Sequence, residues 1–123
     1  MSNCKWCSIF LLLFCFACDK PLPDIQGMDL EQWKKDKNGC QNIRTAMRKA
    51  IDEEKNKLLS LGEMQIVKLL GRPDQNELLR RNQKFFYYFI KPSPACKVST
   101  DTIAEKLVIR FNAMGLAKEV AIE

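Results

Sequence analysis

The chain has 123 residues, 20 Lys and Arg against 15 Asp and Glu for a formal charge of +5, and no histidine. This length holds one domain of roughly 100–200 residues, and 46% hydrophobic with 28% charged residues excludes wholesale disorder. Missing histidine removes the commonest general base and the commonest zinc ligand, and the basic residues are interspersed with acidic ones, as in residues 48–57, so no nucleic-acid partner is expected.

Residues 1–18 start polar with Lys5 and continue in an apolar run over 9–17. The run is shorter than the roughly 20 residues that span a bilayer, and it suits the apolar centre of a signal peptide. It ends in Ala17-Cys18, after which the chain turns polar at Asp19 and Lys20. This ending resembles the lipobox of bacterial lipoproteins, in which a cysteine thiol receives a diacylglyceryl group and becomes the new N-terminus. The resemblance implies lipidation at Cys18 and removal of residues 1–17. One departure is Cys15, where that pattern usually has leucine. Cys4 and Cys7 match a CxxC redox spacing, but they fall in the segment expected to be discarded.

With Cys18 acylated, Cys40 and Cys96 are the cysteines that remain. In the oxidising compartment reached by export they are expected to pair, the alternative being two buried free thiols. The bridge would close a loop of about 56 residues and contribute roughly 3–4 kcal/mol on the chain-entropy model. Residues 18–28, with two prolines and a glycine, read as a lipidated tether.

A single domain is expected over 29–123. Asp29 reads as the N-cap of a helix over 30–35 with Trp33 facing inward. Asp36-Lys37-Asn38-Gly39 reads as a turn, since its glycine stands too early for a calcium loop and no glutamate follows at the twelfth position. Over 41–59 the apolar residues Ile43, Ala46, Met47, Ala50, Ile51, Leu58 and Leu59 recur at steps of three and four, which predicts one long amphipathic helix. Gly62 as N-cap, Gln65 at the third helical position, and Gly71 with Pro73 as terminators frame a second helix burying Ile66, Val67, Leu69 and Leu70.

Strands are predicted for 77–80 and 84–90 around the connection Arg81-Asn82-Gln83, then for 107–111 and 116–122 around Asn112 to Gly115. Helices first and antiparallel strands afterwards predict an α+β, two-layer fold, with N-terminal helices packed on a three- or four-stranded antiparallel sheet. Residues 85–90 are aromatic on both alternating faces, so this strand is central or has one face covered. Phe86, Tyr87 and Tyr88 are its candidate binding face.

The stretch Leu61-Gly62-Glu63-Met64-Gln65-Ile66-Val67-Lys68-Leu69-Leu70-Gly71-Arg72-Pro73-Asp74, an aromatic strand, and a closing hairpin around Gly115 are similar to the SmpA/OmlA (BamE-like) lipoprotein domains. The similarity covers about residues 58–123; Trp33 through Cys40 and the long helix over 41–59 have no counterpart in it, and the loop over 91–105 with Cys96 is distinctive. It implies two helices on an antiparallel sheet, a fold used by small outer-membrane assembly factors and, doubled, by secreted β-lactamase-inhibitor proteins.

The expected function is a lipid-anchored binding or scaffold protein of the bacterial envelope, held in the outer membrane and facing the periplasm. It would contribute to envelope assembly through contacts with a protein partner. The alternative is an inhibitor or immunity-type binder of a secreted enzyme, using the 91–105 loop. No catalytic residue, metal ligand, cofactor or small-molecule substrate is inferred. Asp52, Glu53 and Glu54 diverge around a helix axis, and the five glycines are too scattered for a phosphate loop.

Overall fold

The computed structural model describes residues 21–97 and 104–123. In chain order these form α1 (Leu30–Lys35), a 3-10 turn (Lys37–Gly39), α2 (Ile43–Ala46), α3 (Arg48–Glu54), a 3-10 turn (Lys55–Leu58) and α4 (Glu63–Leu70). Four strands then follow: β1 (Gln75–Leu79), β2 (Gln83–Phe89), β3 (Lys106–Phe111) and β4 (Ala117–Ile122). The sheet is antiparallel in the order β1-β2-β3-β4, and helices pack on one of its faces, so the fold is α+β. No helix among the described residues is long and apolar enough to cross a membrane.

Local signals set the ends of two helices. Asp29 caps α1, its Oδ1 accepting from the Gln32 N–H at 3.2 Å. Gly62 stands ahead of α4, and Gln65 reaches back so that its Oε1 accepts the Gly62 N–H at 2.9 Å. Gly71 ends α4 at φ 80 and ψ −176. That is further than the left-handed helical conformation the sequence suggests, in a region open essentially to glycine alone. Of the four residues expected on the buried side of α4, Ile66, Leu69 and Leu70 are buried and Val67 is half-buried.

The long helix expected over 41–59 is instead three short pieces. Asn42 is left-handed at φ 60, delaying the start, and Met47 (φ −96, ψ 2) separates α2 from α3. The cause is tertiary. Thr45 donates its hydroxyl to Ile90 O at 2.7 Å, and Arg44 is drawn into the interior beside it. Ile51 and Leu58 are buried as expected, whereas Ala46 and Leu59 are exposed.

Arg44 is the densest junction of the fold. Its side chain is 1% exposed and pairs with Asp74, itself 2% exposed. Nε donates to Trp33 O at 2.9 Å, Nη1 donates to Phe89 O at 3.2 Å, and the guanidinium lies 4.9 Å from the Trp33 ring centre. Asp74 also accepts the N–H groups of Asn38 and Phe89, at 3.0 and 2.8 Å. Buried Asp36 accepts those of Gln41 and Arg44, at 2.7 and 3.0 Å. The turn over 36–39 is thus a cap for α2. At Gly39 a Cβ would stand 2.8 Å from Lys91 O, so only glycine permits this approach. Cys40 and Cys96 form a disulfide alongside, with Cα atoms 5.5 Å apart and 56 residues between them in sequence.

The core is formed by Trp33, Ile51, Leu58, Ile66 and Leu70 from the helical side against Tyr88, Leu107, Ile109 and Phe111 from the sheet. Tyr88 donates its hydroxyl to Gly71 O at 2.8 Å, tying the end of α4 to β2. Ile25 is also part of this core, and Lys57 Nζ donates to Asp24 O at 2.9 Å. The chain therefore joins the domain a few residues earlier than the tether composition of 18–28 suggests.

Two substitutions separate the sources of stability in urea unfolding. Leu70→Ala is expected to cost about 2–5 kcal/mol by opening a cavity between helix and sheet. Arg44→Ala is expected to cost about 3–5 kcal/mol, because it leaves Asp74 buried without its cation. A loss below about 1 kcal/mol for Arg44→Ala would show that the junction is dispensable.

Candidate functional site

The strand register decides which aromatic residues are available. Phe86 pairs with Ile109 and Tyr88 with Leu107, so both point into the helical layer. Phe86 and Tyr88 therefore belong to the core and drop out of the candidate binding face, on which Tyr87 remains. The sequence could not assign the inward parity, because β2 is aromatic at odd and even positions alike. The opposite face carries Phe85, Tyr87 and Phe89 on β2, beside Glu77 and Leu79 of β1, Lys106, Val108 and Arg110 of β3, and Glu119 of β4.

This outer face has its own organisation. The Phe85 and Tyr87 rings lie with centres 6.3 Å apart and planes 12° from parallel. Lys106 Nζ stands 4.6 Å from the Tyr87 ring centre and 6.0 Å from that of Phe89, a cation held against aromatic faces. Tyr87 donates its hydroxyl to Glu77 Oε2 at 2.8 Å. Arg110 Nη2 pairs with Glu119 Oε1 at 2.9 Å across β3 and β4. Phe85 and Tyr87 are half-buried, while Phe89 and Val108 are buried. The result is an aromatic centre rimmed by paired charges, a composition suited to a protein contact. The alternation of residues, once its parity is known, is the only sequence signal for Phe85, Lys106 and Glu77.

The remaining expected sites fall in different places. Cys18 lies outside the described residues, as do residues 98–103 of the loop considered for an inhibitory role. Within the described part of that loop, Ser93 and Cys96 are buried, and Ser93 N–H donates to Asn38 O at 2.9 Å. Among the described residues no cluster of three or more His, Cys, Asp or Glu is placed to hold a metal ion. Asp52 and Glu54 of α3 are engaged with Lys55 and Lys57.

Comparison with models of known protein families, with curated proteins and with solved structures finds no match.

The two tyrosines of the chain report on the two faces. Burial, then the hydrogen bond to Glu77, pushes the Tyr87 phenol up to about 12. Burial pushes Tyr88 up as well, with Asp74 adding to the shift and Arg44 opposing it. Unfolded tyrosines ionise near pH 10. Their protonated forms therefore favour the folded state, a contribution complete below about pH 10 and lost as pH rises through the folded values. The ultraviolet tyrosinate band of native protein is expected to stay flat through pH 10, with both tyrosines ionising there in denaturant. In Tyr87→Phe the lower native step should vanish. A native step at pH 10 in the unaltered protein would mean that the burial of Tyr87, with its Glu77 contact, does not persist in solution.

Proposed function

We propose that this protein is a non-catalytic, lipid-anchored binding or scaffold protein of the bacterial cell envelope, engaging a protein partner through the outer face of its sheet. The observation that carries this reading is that face: an aromatic centre formed by Phe85 and Tyr87, with Lys106 against the Tyr87 ring and the Glu77 and Arg110–Glu119 contacts at its rim. Interfaces place aromatic anchors at their centre and polar groups around them. The segment ending in Ala17-Cys18 supports attachment through lipid, and the similarity of residues 58–123 to BamE-like domains supports a role in envelope assembly. Stable anchoring then comes from the several acyl chains of a mature lipoprotein, since one chain gives only marginal membrane binding.

The test has two parts. Mass analysis of the N-terminal peptide of protein recovered from a bacterial envelope is expected to show acylated Cys18 and no residues 1–17. Photo-crosslinking groups placed at Phe85 and Tyr87 are expected to give a discrete protein adduct in the same envelopes, and a group at Glu53 on α3 none. Phe85→Ala should abolish the adduct formed from position 87 while shifting the melting temperature little, because the ring is only half-buried. Equal crosslinking from all three positions, or none, would reject the outer face as the contact surface.

A further inference from the structure

The end of the domain that carries the two β-hairpin turns is apolar where a free surface is usually polar. Met64 and Leu78 are each 70% exposed and Met114 is 82% exposed. These residues are far apart in sequence, and one ion pair gathers them. Lys84 Nζ lies 2.7 Å from Glu63 Oε1. Met64 follows Glu63, and Leu78 is the cross-strand partner of Lys84. Gly115, adjacent to Met114, is so close to Glu63 that a Cβ on it would stand 3.3 Å from the carboxylate. Leu79, at the mouth of the first hairpin, is exposed as well. Single exposed apolar residues are ordinary, but a cluster of them marks a surface for an apolar partner.

The path of the chain into the domain indicates which partner. Asp24 O accepts from Lys57 Nζ, and Ile25 then enters the core. The segment arriving from Cys18 therefore meets the domain beside the turn Lys55–Leu58. That turn runs straight into Leu59, which is exposed, and into the bridge between Gly62 and Leu116 that borders the same end. Six residues lead from Cys18 to Asp24 and span at most about 20 Å. Exposed Arg81 and Lys118 supply positive charge suited to headgroup phosphates.

We propose that Met64, Leu78 and Met114 seat this end of the domain on the bilayer that holds the anchor, entering the boundary between headgroups and acyl chains. The setting rests on the lipid anchor at Cys18, whereas the surface itself is defined by the folded domain. A protein partner or a second copy of the chain at this end would have no need of its closeness to the anchor.

The experiment places a tryptophan at one position at a time in the full chain: Met64→Trp, Met114→Trp, and Lys97→Trp at the opposite end of the sheet. Each protein is bound to vesicles whose acyl chains carry bromine near the headgroup, and emission is compared with unbrominated vesicles. Trp6 is replaced by Phe in every protein, and Trp33, which is fully buried, gives a common background. Quenching at 64 and 114 with none at 97 is the expected result. Equal quenching at all three positions, or none at 64 and 114, overturns the proposal, and loss of exposure at 64 and 114 that grows with protein concentration assigns the surface to a second copy. Mass analysis of the same samples reads Cys18 separately. With Cys18 unmodified, the anchor reading fails, and selective quenching of the vesicle-bound chain still upholds the seating surface while its absence rejects it.

Discussion

The buried pair of Arg44 and Asp74 is the constraint on which the rest of the structure depends. Burying two charges costs several kcal/mol per ion unless their hydrogen-bonding capacity is met inside the protein. Here it is met by atoms from five separate segments: the end of α1 through Trp33 O, the 36–39 turn through Asn38 N–H, α2 through Arg44 itself, the approach to β1 through Asp74, and the end of β2 through Phe89. Each segment is too short to hold its shape alone. α2 has 4 residues and α3 has 7, below the roughly 12–15 at which an isolated helix becomes even marginal. The disulfide between Cys40 and Cys96 ties the same neighbourhood covalently, so the helical layer is pinned to the sheet at this end by charge, hydrogen bonds and sulfur together.

Pinning the end of β2 also fixes its register, and register decides what each aromatic residue does. A slip of one residue would exchange the two faces completely. With Phe89 N–H and O both held in the junction, Phe86 and Tyr88 turn inward, and Tyr88 completes the helix end at Gly71. Phe85 and Tyr87 turn outward, where Lys106 and Glu77 meet them. The same run thus supplies Phe86, Tyr88 and Ile90 to the core and the stacked rings of Phe85 and Tyr87 to the outer face. Neighbouring residues along one strand serve stability and contact separately, because side chains alternate with a period of two.

Much of this architecture is legible in the sequence where a local rule governs. Asp29, the Gly62 and Gln65 pair, Gly71 before Pro73, and the apolar alternation of Leu107, Ile109 and Phe111 each specify a boundary or a face, and Cys40 and Cys96, the cysteines expected to remain after export, pair as expected. What is not legible depends on contacts distant in sequence. The periodicity over 41–59 reads as one helix because nothing local reveals that Arg44 must reach Asp74, 30 residues on, and a cation among apolar neighbours looks like a surface position. The parity of β2 is hidden because both of its faces are aromatic. Its partner strand β3 resolves it only once the pairing of Tyr88 with Leu107 is known. Ile25 is hidden for the opposite reason, since prolines and glycine around it suggest a linker while its side chain is buried.

The placement of the two surfaces makes the outer face and the seating end compatible. The strands run from the hairpin turns toward the Arg44 junction, and β2 has 7 residues, about 23 Å at the usual rise. With the Met64 and Met114 end against the bilayer, the strands stand away from it and the outer face looks along the membrane rather than into it. In the proposed seating Phe85 and Tyr87 would lie partway up that face, within reach of a neighbour in the same membrane, with the junction and disulfide at the far end. A short tether suits this arrangement. In the proposed arrangement, confining the chain and a partner to one plane would raise their effective concentration at the face, so that a modest contact area would suffice where free diffusion would demand a larger one.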